Sequence, residues 1–514
     1  MISIPFLSVG LFFLNPILLL VFRLRESNLN KLRFWFMVTS GAAWLLSILF
    51  SITNPETRLN FGWNPETLLI SEPALIFDGI SIPLALSLAG LTLYTTLNQR
   101  FSPPQIAWIS TLGGICFLAV LSDNIYTFLV FWTLIEIFWI TYTVINQAVM
   151  EKDIRLILPI IVRLGGPLTL IYAAVIGLEE GINAAFSGFG SSSGPILVLA
   201  GVYSLIISFF GRESITLAEE RFDLERILRL LPAALSFMLI TRGAAIMEPI
   251  MVQPGLKIII AVLTLVYGLL SIISTSRKRS RMIWSYGLIG LTAASALFFS
   301  SALSLSWGLI FMLPGILMFQ SYPSKTQLNA ALIAASIGML PIPFLPAWNG
   351  SGLFTRDLPG ILFAISAGIL IGGTYSNNIS REGEEKFQSD PVPLLPILSP
   401  IILLLTQFVV AFESNLLDSS MEFLSIPITV WIPVFLIVLL YVLGERIPGV
   451  NTDRVDERIQ RARKKISSFA SGAAKFINQA IILITRLFEG EGGLIWALLI
   501  GFLLLTLITL SGGL

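Results

Sequence analysis

The feature that most constrains the fold of this chain is a succession of apolar stretches separated by short polar connections. Each stretch is about 17–25 residues long, the length at which a helix crosses the hydrocarbon core of a bilayer. Only 12% of the 514 residues are charged and the mean hydropathy is +0.85, whereas about a quarter of the residues of a soluble protein are charged. The sequence therefore predicts an all-α polytopic membrane protein.

Counting the stretches gives about sixteen transmembrane helices. The predicted spans of the first half are 3–23, 34–53, 75–97, 105–121, 124–147, 154–178, 194–210 and 229–249. Those of the second half are 256–275, 282–300, 303–320, 327–346, 358–377, 394–413, 427–444 and 493–511.

Two connections are longer than turns. Residues 211–228 carry charges of both signs at helical spacing, which predicts a solvated surface helix. Residues 451–489 are amphipathic and basic, and they precede the last span. This pattern is typical of a helix that lies along a membrane surface or a neighbouring subunit; a cytoplasmic linker without a partner is the alternative.

The basic residues predict the orientation of the spans. If the N-terminus lies outside, alternate connections hold 27 of the 32 Lys and Arg residues, and the opposite connections hold three. Such a division is the positive-inside pattern of membrane proteins. We therefore expect both termini to be extracytoplasmic, and residues 211–228 and 451–489 to face the cytoplasm.

Three charged residues lie inside apolar spans: Glu136, Arg163 and Arg242. A charge at the centre of a bilayer costs roughly 3 kcal/mol on insertion scales, so each of these needs a partner or a function. The chain has no histidine, which excludes His-ligated metals and a histidine proton relay. Its single cysteine, Cys116, lies in an apolar span and is expected to serve packing.

One predicted span contains helix-breaking residues. Pro341, Pro343 and Pro346 fall within the segment 338–352, GMLPIPFLPAWNGSG. Proline removes a backbone donor, and transporters place interrupted helices at their ion sites. The sequence predicts a broken helix here, and a passive kink is the alternative.

Several local motifs bear a resemblance to a known family. They are FDGIS at 77–81, the Asn124 and Phe131-Trp132 lead-in, IIVRLGG around Arg163, the stretch 265–290 and FEGEGGLIWALL before the last span. Together they resemble the antiporter-like membrane subunits of respiratory complex I (NADH:quinone oxidoreductase) and of Mrp-type cation/proton antiporters. The number of spans and the amphipathic helix before the last one are similar to the distal complex I subunit.

The resemblance implies two inverted five-helix repeats, 105–249 and 256–377. It places three N-terminal helices at 1–104 before them. Helices 14 and 15 at 394–444, the cytoplasmic amphipathic helix 451–489 and the last span within 493–514 follow.

The resemblance also implies a line of charges across the membrane centre. In the family a glutamate directly follows the tryptophan; here Thr133 stands there and Glu136 comes three residues later. Arg242 stands where the family has its helix-eight lysine, whereas 194–210 has no counterpart of the helix-seven lysine. Asn349 and Ser351 stand where the family has a helix-twelve charge.

The predicted proton or ion path consists of Glu136, Arg242, Arg163, Thr133, Asn349 and Ser351. An arginine does not release its proton in proteins, so the carrier on this interpretation is Glu136, paired with Arg163 or Arg242. A static ion pair that ties three helices together is the alternative. Asp78, Asp123 and Glu248 lie near helix ends and are predicted to be solvated anchors.

These observations favour a membrane subunit of a complex I-like or Mrp-type complex, with other membrane subunits and the lipid bilayer as partners. It would move protons or cations in a prokaryotic cytoplasmic membrane while its partners carry out redox chemistry or antiport. The alternatives are a structural or docking subunit without a relay, and a membrane partner of an inorganic-carbon uptake system. No motif for a nucleotide, flavin, iron–sulfur cluster, quinone or metal is present, so we expect no cofactor, no metal, no nucleic acid and no catalytic residue.

Overall fold

The structure, a computed structural model, describes residues 3–24, 29–53, 57–60, 72–98, 101–147, 157–180, 184–209, 219–247, 254–273, 277–319, 322, 325–379, 394–413 and 428–444. Four predicted features lie outside these residues: the segment 451–489, the last span 493–511, Glu248 and residues 211–218.

Most described residues lie in α-helices. Those before residue 250 are α1 (Ser3–Leu24), α2 (Leu29–Thr53), α3 (Ser81–Leu97), α4 (Pro103–Val120), α5 (Ile125–Gln147), α6 (Ile157–Glu180), α7 (Ser193–Phe209), α8 (Glu219–Leu230) and α9 (Ala233–Ile246). Those after it are α10 (Pro254–Ile273), α11 (Arg277–Phe298), α12 (Ser301–Phe319), α13 (Lys325–Met339), α14 (Pro346–Gly350), α15 (Leu358–Ile379), α16 (Leu394–Glu413) and α17 (Trp431–Gly444).

Several helices have the length and composition of membrane spans. Among the described residues, six helical segments are long and apolar enough to cross a bilayer: Pro5–Phe22, Lys31–Thr53, Pro103–Val120, Ile125–Tyr142, Arg226–Ile246 and Gly255–Ile272. Further apolar helices are 10–17 residues long. A helix satisfies its backbone groups internally, as hydrocarbon requires. The predicted class, a helical membrane protein, is confirmed; the count of about sixteen spans and the two inverted repeats stay predictions.

The predicted broken helix is present. Helix α13 ends at Met339, and the chain resumes helical structure only in the short α14. Between them Phe344 has a φ of 69°, a left-handed conformation that non-glycine residues rarely adopt. Trp307 of α12 donates a 3.0 Å hydrogen bond to the Gly350 carbonyl, so the end of α14 is fixed from a neighbouring helix.

The predicted surface helix is only partly solvated. Its described part, α8, buries Leu224, Ile227 and Leu228 against the core and contacts α4 and α12. Leu224, Ile227 and Leu228 recur at helical spacing and form an apolar stripe along this helix. The prediction of a wholly solvated helix is therefore wrong for residues 224–228.

Helices α7 and α9 pack closely through small residues. A Cβ added to Gly243 of α9 would lie 2.7 Å from the Gly194 carbonyl oxygen, and one added to Gly201 of α7 would lie 2.6 Å from the Ser236 carbonyl oxygen. Both distances are too short for any side chain. Small residues that bring helix backbones together are the usual means of packing helices in membranes.

A small backbone network joins three connections at one end of the bundle. Strand β1 (Thr57–Asn60) pairs antiparallel with β2 (Ala74–Phe77). The Asp123 amide donates to the Ala74 carbonyl, and the Phe186 amide donates to the Asp123 carbonyl, both at 3.0 Å. We call this end, where α3 and α5 begin and α9 ends, the hairpin end. Its backbone bonds fix the positions of Asp78 and Asp123.

Candidate ion-translocation site

The carboxylate in the fifth predicted span forms an ion pair with Arg163. Arg163 Nε lies 2.9 Å from Glu136 Oε2 and Arg163 Nη2 lies 3.1 Å from Glu136 Oε1, so the contact between α5 and α6 is bidentate. Bidentate arginine–carboxylate pairs are among the stronger hydrogen-bonded contacts in proteins. Of the two partners that the sequence left open for Glu136, the structure selects Arg163.

Two tryptophans of α5 support this pair. Trp132 Nε1 donates a 3.2 Å hydrogen bond to Glu136 Oε1, and the guanidinium carbon of Arg163 lies 4.8 Å from the centroid of the Trp139 ring. A guanidinium over an indole face gains a cation–π attraction. Each ion of the pair therefore has a second partner within the membrane-spanning bundle.

The start of α5 determines where Glu136 lies. Asn124 Oδ1 accepts hydrogen bonds from the Thr127 amide and hydroxyl, both at 2.9 Å, and this caps the first turn of the helix. From that start, Trp132 and Trp139 face the core, and Glu136 lies at the edge of the buried face with 15% of its side chain exposed.

A narrow cleft opens beside the ion pair. Its polar lining besides the pair comes from Ser204 and Ser208 of α7 and Ser236 of α9. The space open to the centre of a water molecule is about 20 Å³, somewhat more than one water needs. Ser204 Oγ is buried and has no hydrogen-bond partner among the described residues, so it is available to such a water.

Arg242 does not reach Glu136. Its Nη1 lies 2.5 Å from Asp78 Oδ2, at the hairpin end of the bundle. Of the two counter-charges that the sequence leaves open for Glu136, Arg242 is therefore not the one that pairs with it. The sequence shows that two arginines lie inside apolar spans, but not at which depth each of them meets a carboxylate.

Asp78 and Asp123 are also not the solvated anchors that their positions predict. Asp78 Oδ1 accepts from the Ile80 amide and from the amide and hydroxyl of Ser81, at 2.8–3.2 Å, and only 16% of the side chain is exposed. Asp123 is 3% exposed and lies 2.6 Å from Arg58 Nη2. The backbone network at the hairpin end covers both carboxylates.

The two aspartates have opposite electrostatic environments. Burial raises the pKa of the Asp78 carboxyl, but the Arg242 charge and the hydrogen bonds from Ser81 outweigh it, so the net pKa is below the ordinary value. Burial also raises the pKa of the Asp123 carboxyl, and there the charges of Arg58 and Arg242 do not offset it. Asp123 is therefore the carboxyl of this cluster that more readily takes up a proton.

The other predicted path residues lie away from the cleft. Thr133 is exposed and donates to the Leu129 carbonyl of its own helix at 2.7 Å. Asn349 and Ser351 are buried at the broken helix, where Ser351 Oγ donates to the Trp348 carbonyl at 2.6 Å. The structure thus brings together Glu136 and Arg163 from the predicted set, and places Arg242, Thr133, Asn349 and Ser351 elsewhere.

Sequence reasoning missed Trp139, Ser236 and Arg58 as neighbours of these charges. An aromatic residue one turn after Glu136, and a serine one and a half turns before Arg242, were visible signals. The sequence held no such signal for Arg58, because its partner Asp123 is 65 positions away and the two meet only when the hairpin has formed.

The sequence and the structure were compared with those of known proteins. No family model and no curated protein matches the sequence. A chain of the Mrp complex from Dietzia sp. DQ12-45-1b superimposes with a TM-score of 0.65 at 12% identity, over 99% of this chain and 62% of that one. A chain of respiratory complex I from Thermus thermophilus, a structure with bound NADH, superimposes with a TM-score of 0.55 at 14% identity, over 80% of this chain and 99% of that one.

The fold is that of the antiporter-like membrane subunits. The resemblance inferred from the motifs is thereby confirmed at the level of the antiporter-like fold. The chain spans about three fifths of the Mrp-complex chain that it matches. At these identities the likeness establishes the antiporter-like fold, and a role in ion movement has to be argued from the residues.

Proposed function

We propose that the chain is a membrane subunit of a complex I-like or Mrp-type complex and that it moves protons or cations through its first half. The antiporter-like fold supports the assembly, since both structural neighbours are chains of membrane complexes. The Glu136–Arg163 pair beside a water-sized cleft supports ion movement. The division of basic residues supports a prokaryotic cytoplasmic membrane with both termini outside.

The carrier on this proposal is Glu136. Arg163 keeps its own proton and acts as a movable counter-charge. The Trp139 ring gives the guanidinium a second contact, so Arg163 stays held in the bundle while Glu136 exchanges its proton with water. Ser204, Ser208 and Ser236 line the cleft with hydroxyls that can pass this proton to water.

A second function, a structural subunit without transport, is favoured by one observation. Both oxygens of Glu136 are occupied by Arg163, and one of them also accepts from Trp132, which is the geometry of a fixed link between α5 and α6. Removing one partner of such a pair leaves the other charge in an apolar setting, a cost of several kcal/mol. On this alternative the link stabilises the bundle and carries nothing.

Substituting the two charges separates these functions. Glu136→Gln keeps the shape of the side chain and removes its titration. We expect proton uptake in membrane vesicles to fall to background while the amount of assembled protein is unchanged. Thr133→Val, one turn earlier on the exposed face, is the matched control and should behave as the wild type.

The double variant Glu136→Gln/Arg163→Gln adds the second test. If the pair is only structural, Glu136→Gln lowers assembly and the double variant restores it, because neither charge is then left alone. If transport requires the carboxylate, the double variant assembles and stays inactive. Normal uptake and normal assembly of Glu136→Gln would rule out both functions for this residue.

A further inference from the structure

A second carboxylate, Asp123, is held in a way that no other described carboxylate shares. Its side chain is only 4% exposed, yet Oδ2 accepts no hydrogen bond of ordinary geometry from the described residues. Its close neighbour is Arg58 Nη2, at 2.6 Å. Asp78, by contrast, accepts two backbone and one side-chain hydrogen bond in addition to the Arg242 contact. Asp123 therefore depends on one ion pair for its negative charge.

One partner of that ion pair lies at the surface. The Arg58 side chain is 48% exposed and lies on β1, at the surface of the hairpin. The arginine itself reaches water readily, but leaving an ionised Asp123 would strand a covered charge, so we expect Arg58 to leave as the carboxylate takes up a proton. Asp123 itself stays in place, because its backbone amide and carbonyl are bonded to Ala74 and Phe186. The counter-ion is thus the mobile partner, and the carboxylate is the fixed one.

The surrounding charges favour a proton once Arg58 has left. The groups that act on Asp123 are Arg58 from β1, Arg242 from α9 and Asp78 before α3. Arg242 is paired with Asp78, so the two largely cancel at Asp123. What remains is burial, which disfavours the ionised form.

Arg242, which acts on Asp123, lies on the same helix as Ser236 of the cleft at Glu136. Its Nε and Nη2 are buried and donate to no acceptor among the described residues, although nine tenths of the side chain is covered. Ser236 of the cleft lies six residues earlier on α9, a rise of about 9 Å. Nε and Nη2 are therefore donors that no described acceptor uses.

We propose that Asp123 is the proton-exchanging group at the hairpin end of the ion path, with Arg58 as its displaceable counter-ion. This inference rests on the proposed function and names a second site in it. Hydronium from the water on that side gives its proton to the Asp123 carboxylate and becomes water, and Arg58 moves to solvent with its own proton. The reverse step releases the proton to the same side. With both termini outside, that side is extracytoplasmic.

The experiment follows the carboxyl group directly. Infrared spectra of the purified chain, recorded from neutral to mildly acidic pH, should show a protonated-carboxyl band that Asp123→Asn lacks. Asp357→Asn is the matched control, since Asp357 is a more exposed aspartate paired with Lys257, and it should keep the band. In Arg58→Gln the band should appear at higher pH, because the positive charge that favours the carboxylate is gone. Arg58→Gln also serves if Asp123→Asn fails to fold.

Transport gives the second measurement. Asp123→Asn should remove the dependence of proton flux on the pH of the hairpin side, and Asp123→Glu should restore it. A band that is unchanged in Asp123→Asn and unshifted in Arg58→Gln would overturn the assignment of Asp123, as would an unchanged flux dependence. If Glu136→Gln leaves uptake intact while the Asp123 band titrates as expected, the carrier assignment of Glu136 fails and the hairpin-end site stands.

Discussion

The two halves of the described bundle differ in the polar side chains that they bury. Before residue 250, Arg242 and Asp123 are buried, and Glu136 and Arg163 are mostly covered. After residue 250, every polar side chain that the structure describes as buried is neutral. The described ion pair of this second half, Lys257–Asp357, is substantially exposed, with 46% of the aspartate side chain accessible.

In this chain the broken helix is held by neutral groups among the described residues. The break after α13 is held by neutral groups: Trp307 bonds to the Gly350 carbonyl and Ser351 to the Trp348 carbonyl. Neutral hydrogen bonds cost less desolvation than ion pairs in an apolar interior. If the covered charges of the first half served packing alone, neutral hydrogen bonds would serve there at a lower desolvation cost. Their presence therefore argues for a function beyond packing.

The largest effect that would test this comparison is expected from Arg242→Ala. It leaves Asp78 buried without its cation, which costs about 3–5 kcal/mol. The unfolding midpoint in detergent should fall sharply. The double variant Arg242→Ala/Asp78→Asn should recover most of the loss. A midpoint within error of the wild type would show that buried charge is not what distinguishes the first half.

A smaller effect is expected where helices touch through glycine. In Gly243→Ala the new Cβ would lie 2.7 Å from the Gly194 carbonyl oxygen, a backbone atom that cannot yield, and overpacking of this kind costs about 1–3 kcal/mol. Gly268→Ala in α10 is the counterpart in the second half. There the nearest atom is Ile369 Cγ2 at 3.2 Å, a side chain that can shift, so the unfolding midpoint should change little. Equal losses would contradict a closer backbone packing of α7 on α9.

Much of the helical architecture could be predicted from the sequence. The thickness of the bilayer sets the length of an apolar segment, and the α-helix sets the spacing of its residues. Three prolines within one span predicted the break that the structure has between Met339 and Pro346. The prediction of a solvated helix failed at α8, because it relied on the number of charges and overlooked the apolar residues at helical spacing. Periodicity rather than charge content decides whether one face of a helix is buried.

Only part of the candidate site could be predicted from the sequence. The rarity of charges in spans singled out Glu136 and Arg163, and these two residues do meet. The partner of Arg242 is 164 positions away and lies before a helix, in a position that usually faces water. Spacing along one helix also placed Thr133 near Glu136, but the buried face of α5 is narrow and excludes it. Which side chains meet across two helices depends on the depth and the rotation of each helix in the bundle. Neither can be predicted from the sequence of one span.

Acid should act in opposite directions on the two aspartates of the hairpin end. The lowered pKa of Asp78 contributes stability that is complete above the ordinary carboxyl pKa and is lost as pH falls through the lower folded value. The raised pKa of Asp123 makes the folded state take up a proton first, so stability rises as pH falls from that raised value to the ordinary one. The unfolding midpoint should therefore pass through a maximum at mildly acidic pH. Asp123→Asn should remove the rise and keep the later fall; a steady decline of the wild type from neutral pH would contradict it.

The smallest effect is expected at the ion pair of the second half. Lys257 Nζ lies 2.9 Å from Asp357 Oδ2 and 4.6 Å from the centroid of the Phe299 ring. Because Asp357 is nearly half exposed, water and salt screen the pair, and Lys257→Gln should cost at most about 1 kcal/mol. That small loss should shrink further in high salt, whereas the loss in Arg242→Ala should hardly depend on salt, since Asp78 and Arg242 are mostly covered. Measuring both midpoints at two salt concentrations tests this difference. A salt-insensitive loss of several kcal/mol in Lys257→Gln would mean that the second half also relies on a covered charge, and the contrast between the halves would no longer hold.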